Sequence, residues 1–273
     1  MPPVLTALAV LAGCSAAEEP RPPVGQRCEY QLRIWKGAPA LGITVGSVVM
    51  ELRHDTYQGS PCKRFRVRTR ARCLGYDVDA VTDSYVTPDL RRELFFRYLR
   101  TGSRRVESKL LFHPSAIEYR RVVPSEDAGD GQWRTLARHP YEPGVCDMFA
   151  ALYLAPVGNV VPAGEPSVVR CVADRKLWDI AFRAVARETI TVPAGTFEVV
   201  ELELGATAAN EHTRSLPFRG PFALGPDTRL WVDPSRRLLV RLEGTAHLVL
   251  PVRAEMRLVR VSGLDVYPGA ASP

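Results

Sequence analysis

The segment of residues 188–204, ETITVPAGTFEVVELEL, constrains the fold most strongly because it predicts an antiparallel hairpin. Two β-rich runs flank Pro193-Ala194-Gly195, where proline fixes φ at the first turn position and glycine accepts a positive φ. The second run alternates between an apolar and an acidic face, with Val200, Leu202 and Leu204 set against Glu201 and Glu203. One side of this hairpin is therefore suited to burial and the other to water.

The same period-two alternation recurs along most of the 273 residues, and 46% of them are hydrophobic, which is enough for a core. We therefore predict a mainly β protein: a single large curved antiparallel sheet, a half-barrel or open barrel, wrapped around one short helix. The segments 124–144 and 205–226 are polar or rich in Gly and Pro, and they predict loops. Further strands are predicted at 30–34, 48–52, 64–72, 90–101, 105–113, 117–123, 168–184, 228–232, 238–243 and 246–258. In the last of these, Pro251 removes a backbone N–H and predicts an edge position or a bulge.

Residues 146–155, CDMFAALYLA, form the one segment with helical spacing. Asp147 can cap its start, and Pro156 with Gly158 predicts its end. Because the segment is apolar nearly all round, we expect it to be buried, closing the open side of the sheet.

The first residues are apolar from Val4 to Gly13 and then reach Leu-Ala-Gly-Cys at Cys14, which resembles the lipobox of bacterial lipoproteins. In that pattern the Cys14 sulfur receives a diacylglycerol, and Ser15 directs the protein to the periplasmic face of the outer membrane. No Lys or Arg precedes the apolar run, so an ordinary buried strand is the alternative. The expected organisation is a signal peptide at 1–13, a lipidated N-terminus and linker at 14–26, a sheet domain at 27–262 and a tail at 263–273.

Export to an oxidising space would allow the remaining cysteines to pair. Two disulfides and one free thiol are the simplest expectation, with the pairing left open, and a bridge between Cys146 and Cys171 would contribute about 3 kcal/mol. A metal site is the alternative, but there is no Cys-x-x-Cys and the histidines are scattered, so we expect no metal. The disulfide candidates are Cys28, Cys62, Cys73, Cys146 and Cys171.

The net charge of +6 comes mainly from arginine, and the absence of a compact basic block argues against nucleic acid as a partner. In the strand Arg64–Arg72 all five even positions are arginine, which places five guanidinium groups in a row. This row is either an anion-binding stripe or one half of a set of cross-strand ion pairs with the aspartates that follow. We favour ion pairs and predict that Arg70 or Arg72 lies beside Asp79.

No catalytic signature is present: there is no Gly-x-Ser-x-Gly, no His-Glu-x-x-His and no phosphate-binding glycine loop. The histidines fall in unrelated contexts, and Glu201 and Glu203 lie on the wetted face of a strand. The sequence therefore predicts neither a cofactor nor catalytic residues.

Taken in order, several features resemble a bacterial envelope family called domain of unknown function 3108. They are Gly25 before a first strand that carries Tyr30, the short helix at 147–154, the Val-Pro-Ala-Gly-Thr-Phe turn at 192–197, and Leu-Trp-Val-Asp at 230–233 leading to 237–240. The resemblance implies a secreted, highly curved antiparallel sheet wrapped partly around a helix, with no established activity. The extra cysteines and the longer loop before the helix depart from the pattern.

Three functions follow as hypotheses. A lipid-anchored curved sheet with an apolar inside can hold an acyl chain or another hydrophobic ligand. The second hypothesis is an envelope scaffold that contacts another protein through the 205–226 loop or an edge strand, and the third is an unrecognised hydrolase. For the first hypothesis the expected ligand-lining residues are Phe149, Leu152, Trp178, Phe182, Leu248, Leu250 and Met256.

Overall fold

The computed structural model describes residues 24–73, 75–90, 92–123, 131–154, 166–173, 175–209, 218, 225, 227–247 and 251–263. The helical elements in these ranges are the helix α1 at Met148–Leu154 and a 3-10 turn at Pro39–Leu41. None of the described helices has the length and apolar character needed to cross a bilayer. The strands are β1 Arg27–Trp35, β2 Ile43–Tyr57, β3 Ser60–Cys73, β4 Tyr76–Val86, β5 Glu93–Gly102, β6 Val106–Phe112, β7 Ala116–Val123, β8 Gln132–Pro140, β9 Cys146–Asp147, β10 Ser167–Ala173, β11 Lys176–Val192, β12 Gly195–Ala208, β13 Arg229–Asp233, β14 Leu238–His247 and β15 Pro251–Ser262.

All fifteen strands belong to one open sheet in the order β8-β7-β6-β5-β4-β3-β2-β1-β15-β14-β13-β12-β11-β10-β9. Neighbours pair antiparallel except β9 and β10, which are parallel. The first and last strands, β1 and β15, pair at the middle of the sheet, so the chain builds one half outward to β8 and the other inward from β9. The predicted fold class, a large curved antiparallel sheet with one short helix, is confirmed.

We call inner the sheet face that carries the main core, and this face is apolar across β10–β15. The side chains of Leu202, Leu230 and Met256 are at most 2% exposed there. Helix α1 packs against this core through Met148, Ala150, Ala151 and Leu152. The predicted burial of the helix is therefore confirmed.

A second cluster shows that the sheet curls until its two ends approach one another. It joins Phe96, Leu110 and Tyr119 of β5–β7 to Val172 and Leu177 of β10 and β11. The His139 ring at the end of β8 also lies 3.0 Å from the carbonyl oxygen of Arg175, before β11. Phe149 of α1 packs against both clusters, so the helix lies between the ends of the sheet.

The 188–204 hairpin is confirmed as β11 and β12, whose ladder closes with Val192 opposite Gly195. Gly195 has φ +129°, a conformation that a side chain would disfavour. The prediction of one loop over 124–144 is wrong in part, because β8 pairs with β7 within it. β8 lies at the end of the sheet and is exposed on both faces, so it lacks the alternation of buried and exposed residues that would predict a strand.

The predicted single strand 246–258 is also wrong. Ala246 of β14 lies opposite Val252 of β15, so the run is a hairpin whose connection, 248–250, lies outside the described residues. Both arms have the same period, and the sequence pattern alone therefore does not show the reversal. The prediction that Pro251 lies on an edge strand or at a bulge is wrong, because Pro251 is the first residue of the central strand β15. Proline is tolerated at the first position of a strand because no backbone N–H is required there.

The strands β2 and β3 approach closely at Gly46, and Gly205 of β12 provides a matched control without such an approach. A Cβ at Gly46 would lie 2.0 Å from the Arg70 carbonyl oxygen and 2.7 Å from the Ala71 Cα, whereas at Gly205 the nearest atoms are 3.8 Å away. Gly46→Ala therefore forces two backbones apart, and we expect it to lower the free energy of unfolding by about 1–3 kcal/mol. Gly205→Ala should leave it unchanged or slightly higher. Urea denaturation checks both variants, and equal stabilities would contradict the β2–β3 register.

Candidate functional site

A buried carboxyl pair, Glu93 and Asp147, joins the end strand β9 to β5, the fourth strand from the opposite end of the curled sheet. Glu93 begins β5 and is 2% exposed, and Asp147 ends β9 and is 1% exposed. The Asp147 backbone N–H donates to Glu93 Oε2, and the Ser84 hydroxyl of β4 donates to Asp147 Oδ2 at 2.6 Å. Asp147 Oδ1 accepts from the N–H groups of Phe149 at 2.7 Å and Ala150 at 3.1 Å, which confirms the predicted cap of α1.

This arrangement favours a proton on the carboxyl pair. Burial, followed by the nearby Asp147 charge, raises the pKa of Glu93 well above its ordinary value. Burial also raises the pKa of Asp147, although its hydrogen bonds oppose that shift. Glu93 Oε1 has no hydrogen-bond partner in the described part of the chain, so the Asp147 N–H at Oε2 offsets only part of the cost of ionising this buried carboxyl. The pair therefore serves as a structural latch between β5 and α1.

The inner face of β4–β8 carries a polar row that the main core lacks. The row consists of five residues, one on each of the strands β4 to β8, and each lies opposite the next in the strand register. We call these five residues the inner polar row. Thr82 and Ser108 in this row are 2% and 4% exposed, whereas the side chains farther along the row are more open. The residues, in strand order, are Thr82, Tyr98, Ser108, Arg121 and Arg134.

The neighbouring row toward the latch is apolar. It contains Phe96, Leu110 and Tyr119, opposite one another on β5, β6 and β7, and each is at most 8% exposed. Phe149 of α1 stacks on Phe96 with ring centroids 6.5 Å apart. Two residues along a strand span about 7 Å, so an apolar surface and a hydroxyl- and arginine-bearing surface lie side by side.

The structure separates the expected ligand-lining residues into different places. Leu152, Trp178, Phe182 and Met256 pack within the main core, each at most 7% exposed. Phe149 is half-buried and borders the inner face of β5. Leu248 and Leu250, like the lipidation candidate Cys14, lie outside the described residues.

The arginine row of β3 carries cross-strand ion pairs on the outer face. Arg70 lies opposite Asp79 with 3.4 Å between Nε and Oδ2, so the predicted neighbour is confirmed. Arg66 binds Asp83 through two hydrogen bonds of 2.7 and 3.0 Å. Such exposed pairs contribute up to about 1 kcal/mol each, and they neutralise the proposed anion stripe.

All five described cysteines are free thiols, so this structure holds none of the disulfides that the sequence suggests among Cys28, Cys62, Cys73, Cys146 and Cys171. In the strand ladders Cys28 is paired with Met50 and Val261, Cys62 with Asp55, and Cys73 with Tyr76, so none of these three lies opposite another cysteine. Cys146 and Cys171 are partners in the β9–β10 ladder. Burial raises the pKa of the Cys28 thiol to about 12 and also raises those of Cys146 and Cys171. Neutral buried thiols react slowly because the thiolate is the nucleophile.

The described residues contain no group of three or more His, Cys, Asp or Glu side chains placed to hold a metal ion. Sequence reasoning missed both the latch and the inner polar row. The alternation of β5–β7 gave some signal for the row, because Ser108 and Arg121 fall on the face that otherwise carries Leu110 and Tyr119. The latch gave none, because Glu93 and Asp147 are distant in sequence.

A single curled, open antiparallel sheet with one short helix places this protein in the mainly β class. Three alignments with solved structures have low sequence identity and TM-scores below 0.5. One is a "beta-barrel-like protein of domain of unknown function DUF1849" from Brucella abortus, with 10% identity, a TM-score of 0.49, and 88% of this chain and 98% of that chain covered. A second, provisionally named as an exported protein with a YmcC-like fold, from Bacteroides fragilis, has 11% identity, a TM-score of 0.36 and coverages of 88% and 97%. A third, provisionally named as a lipoprotein, from Parabacteroides distasonis, has 12% identity, a TM-score of 0.32 and coverages of 88% and 95%.

The family model described as "Protein of unknown function (DUF3108)" matches residues 29–257 of this chain, which is most of its length. The chain therefore belongs to this family, as the resemblance in the sequence indicated. No curated protein matches the sequence at a significant level.

The latch predicts a pH dependence of stability. Because the folded-state pKa of Glu93 is raised, the folded chain keeps a proton that the unfolded chain releases above about pH 4.3. The free energy of unfolding should therefore fall as the pH rises from this value toward the folded-state pKa. Glu93→Gln removes this contribution, so the variant should lose less stability than the wild type between about pH 5 and pH 7.

Urea denaturation at several pH values measures this difference. The control is Glu198→Gln, at an exposed glutamate whose carboxylate accepts a hydrogen bond from the Thr189 hydroxyl. The control should follow the wild-type pH profile. A Glu93→Gln profile parallel to the wild type would contradict a protonated latch.

Proposed function

We propose that this protein is a non-catalytic, lipid-anchored protein of the bacterial envelope that binds a hydrophobic ligand on the inner face of β4–β7. The observation that carries the proposal is the difference between the two halves of the inner face. Across β12–β15 the inner side chains are packed among themselves, with Leu202, Leu230, Leu242 and Met256 at most 2% exposed. On β5 and β6, by contrast, Tyr98 and Val106 are only partly buried.

Partly exposed apolar groups next to a buried cluster can gain from a ligand that covers them. Tyr98 and Phe149 both border the cluster of Phe96, Leu110 and Tyr119. Removing apolar surface from water stabilises a complex by about 25 cal/mol per Å² before the costs of association. At the centre of the packed half, a ligand would have to displace the buried side chains of Leu202, Leu230 and Met256.

The ligand proposal is tested by native mass spectrometry of full-length protein isolated from membranes in mild detergent. We expect a bound small molecule in addition to any covalent lipid. Val106→Trp, on the inner face, should fill the site and remove most of this molecule, whereas Val259→Trp, at a 41%-exposed side chain on the outer face, should retain it. A wild-type protein without bound molecules, or equal retention by both variants, would count against the proposal.

The anchor proposal rests on the Leu-Ala-Gly-Cys sequence that ends at Cys14. Each buried methylene of an acyl chain contributes about 0.8 kcal/mol to membrane attachment, so several chains together hold a protein firmly. Cells that express the full chain should incorporate a palmitate analogue into it, and Cys14→Ala should abolish the incorporation. Labelling that survives the substitution, or no labelling of the wild type, would contradict a lipid anchor at this cysteine.

A scaffold role is the second candidate, and the outermost strand β8 favours it. In the described sheet β8 pairs on one side only, and its Trp133 is 40% exposed. An unpaired strand edge can accept a strand from another protein. A photo-crosslinking residue at position 133 that captures one specific envelope protein, together with no bound small molecule in the spectrum, would favour the scaffold role.

A further inference from the structure

The arginines on the two faces of the β3–β8 half have different surroundings. Those on the outer face have carboxylate partners: Arg66 binds Asp83, Arg97 binds Glu107, and Arg120 binds Glu118. Such pairing is the ordinary condition of a basic sheet surface. Each of these three outer arginines therefore already has a carboxylate partner.

Arg121 and Arg134 of the inner polar row differ from the outer arginines. Arg121 lies on the inner face because Tyr119 and Ile117, at alternate positions before it on β7, are 5% and 0% exposed. Arg134 of β8 is its direct partner in register. In the described part of the chain no carboxylate lies within ion-pair distance of either guanidinium group. Like charges placed opposite one another destabilise a sheet, so a bound anion would relieve this pair.

The surroundings of the two arginines indicate what kind of anion fits. Ser108 lies opposite Arg121 on the other side and adds a hydroxyl group to the row. About 7 Å away along the strands lies the apolar row of Phe96, Leu110 and Tyr119. Guanidinium groups bind carboxylate and phosphate oxygens in a two-pronged geometry. A ligand that binds these arginines and covers the partly buried Tyr98 beside the apolar row has an anionic head and a hydrocarbon chain.

We propose that Arg121 and Arg134 bind the anionic headgroup of a lipid whose chain covers Tyr98 and Val106, the partly buried side chains beside the cluster of Phe96, Leu110 and Tyr119. This assignment rests on the proposed function and adds the headgroup chemistry to it. A second copy of the chain is a poor occupant, because pairing two β8 strands would bring Arg134 and Arg138 near the same residues of the partner copy. The connection at 124–130, which contains Glu126 and Asp127 in the sequence, is the competing occupant.

The test compares a fluorescent eighteen-carbon fatty acid with the neutral alcohol of the same chain, each titrated into full-length protein near neutral pH. We expect the wild type to bind the acid about tenfold more tightly than the alcohol. Arg121→Gln with Arg134→Gln should remove this preference and leave the affinity for the alcohol unchanged. The matched control is Arg120→Gln, the next residue on the outer face, which should keep the preference. Circular dichroism checks that each variant is folded.

The outcomes separate the two proposals. If both probes bind equally to the wild type and to the double variant, the headgroup assignment fails and hydrophobic binding stands. If neither probe binds, hydrophobic binding fails as well. If the preference for the acid appears only after Glu126→Gln with Asp127→Asn, the arginines are occupied by the chain's own connection, and the assignment to a lipid is overturned.

Discussion

The latch between β5 and α1 is the interaction on which the architecture depends. A sheet of fifteen strands that does not close must bury one face by curling, and its two ends then need a contact that holds the curl. Asp147 provides this contact because one side chain caps the helix, accepts the Ser84 hydroxyl and lies beside Glu93. Three elements that are distant in sequence are thereby fixed around one buried carboxylate.

Holding the ends together around a helix leaves an asymmetric interior. Helix α1 packs mainly on the β10–β15 half, where Met148, Ala151 and Leu152 join the main core. Of the helix side chains that the structure describes, Phe149 packs against the core cluster of the β4–β8 half, whose inner face turns polar at Thr82 and Ser108. The packed half stabilises the protein, and the half-covered one provides the surface on which we place ligand binding.

The sequence predicts those parts of this structure that depend on local pattern. The 188–204 hairpin, the cap at Asp147 and the pairing of Arg70 with Asp79 all follow from turn residues and period-two alternation. The strand β8 was not predicted because an end strand with two exposed faces shows no alternation of apolar and polar residues. The carboxyl latch was not predicted because the curl of the whole sheet brings its two residues together. No local segment of the sequence shows that curl. The inner polar row was missed for a related reason, since it becomes visible only when five strands are set in register.

Hydrogen exchange of the native protein tests the latch most directly. The amides of Asp147, Phe149 and Ala150 donate to the two latch carboxyl groups, so the account predicts that they are protected as strongly as the core amides of β12 and β13. Protection in that range would mean that the ends of the sheet open only when the core does. Exchange of these three amides as fast as that of the exposed turn at Pro39–Leu41 would contradict the account, because the latch would then open without the core and could not be the contact that holds the curl.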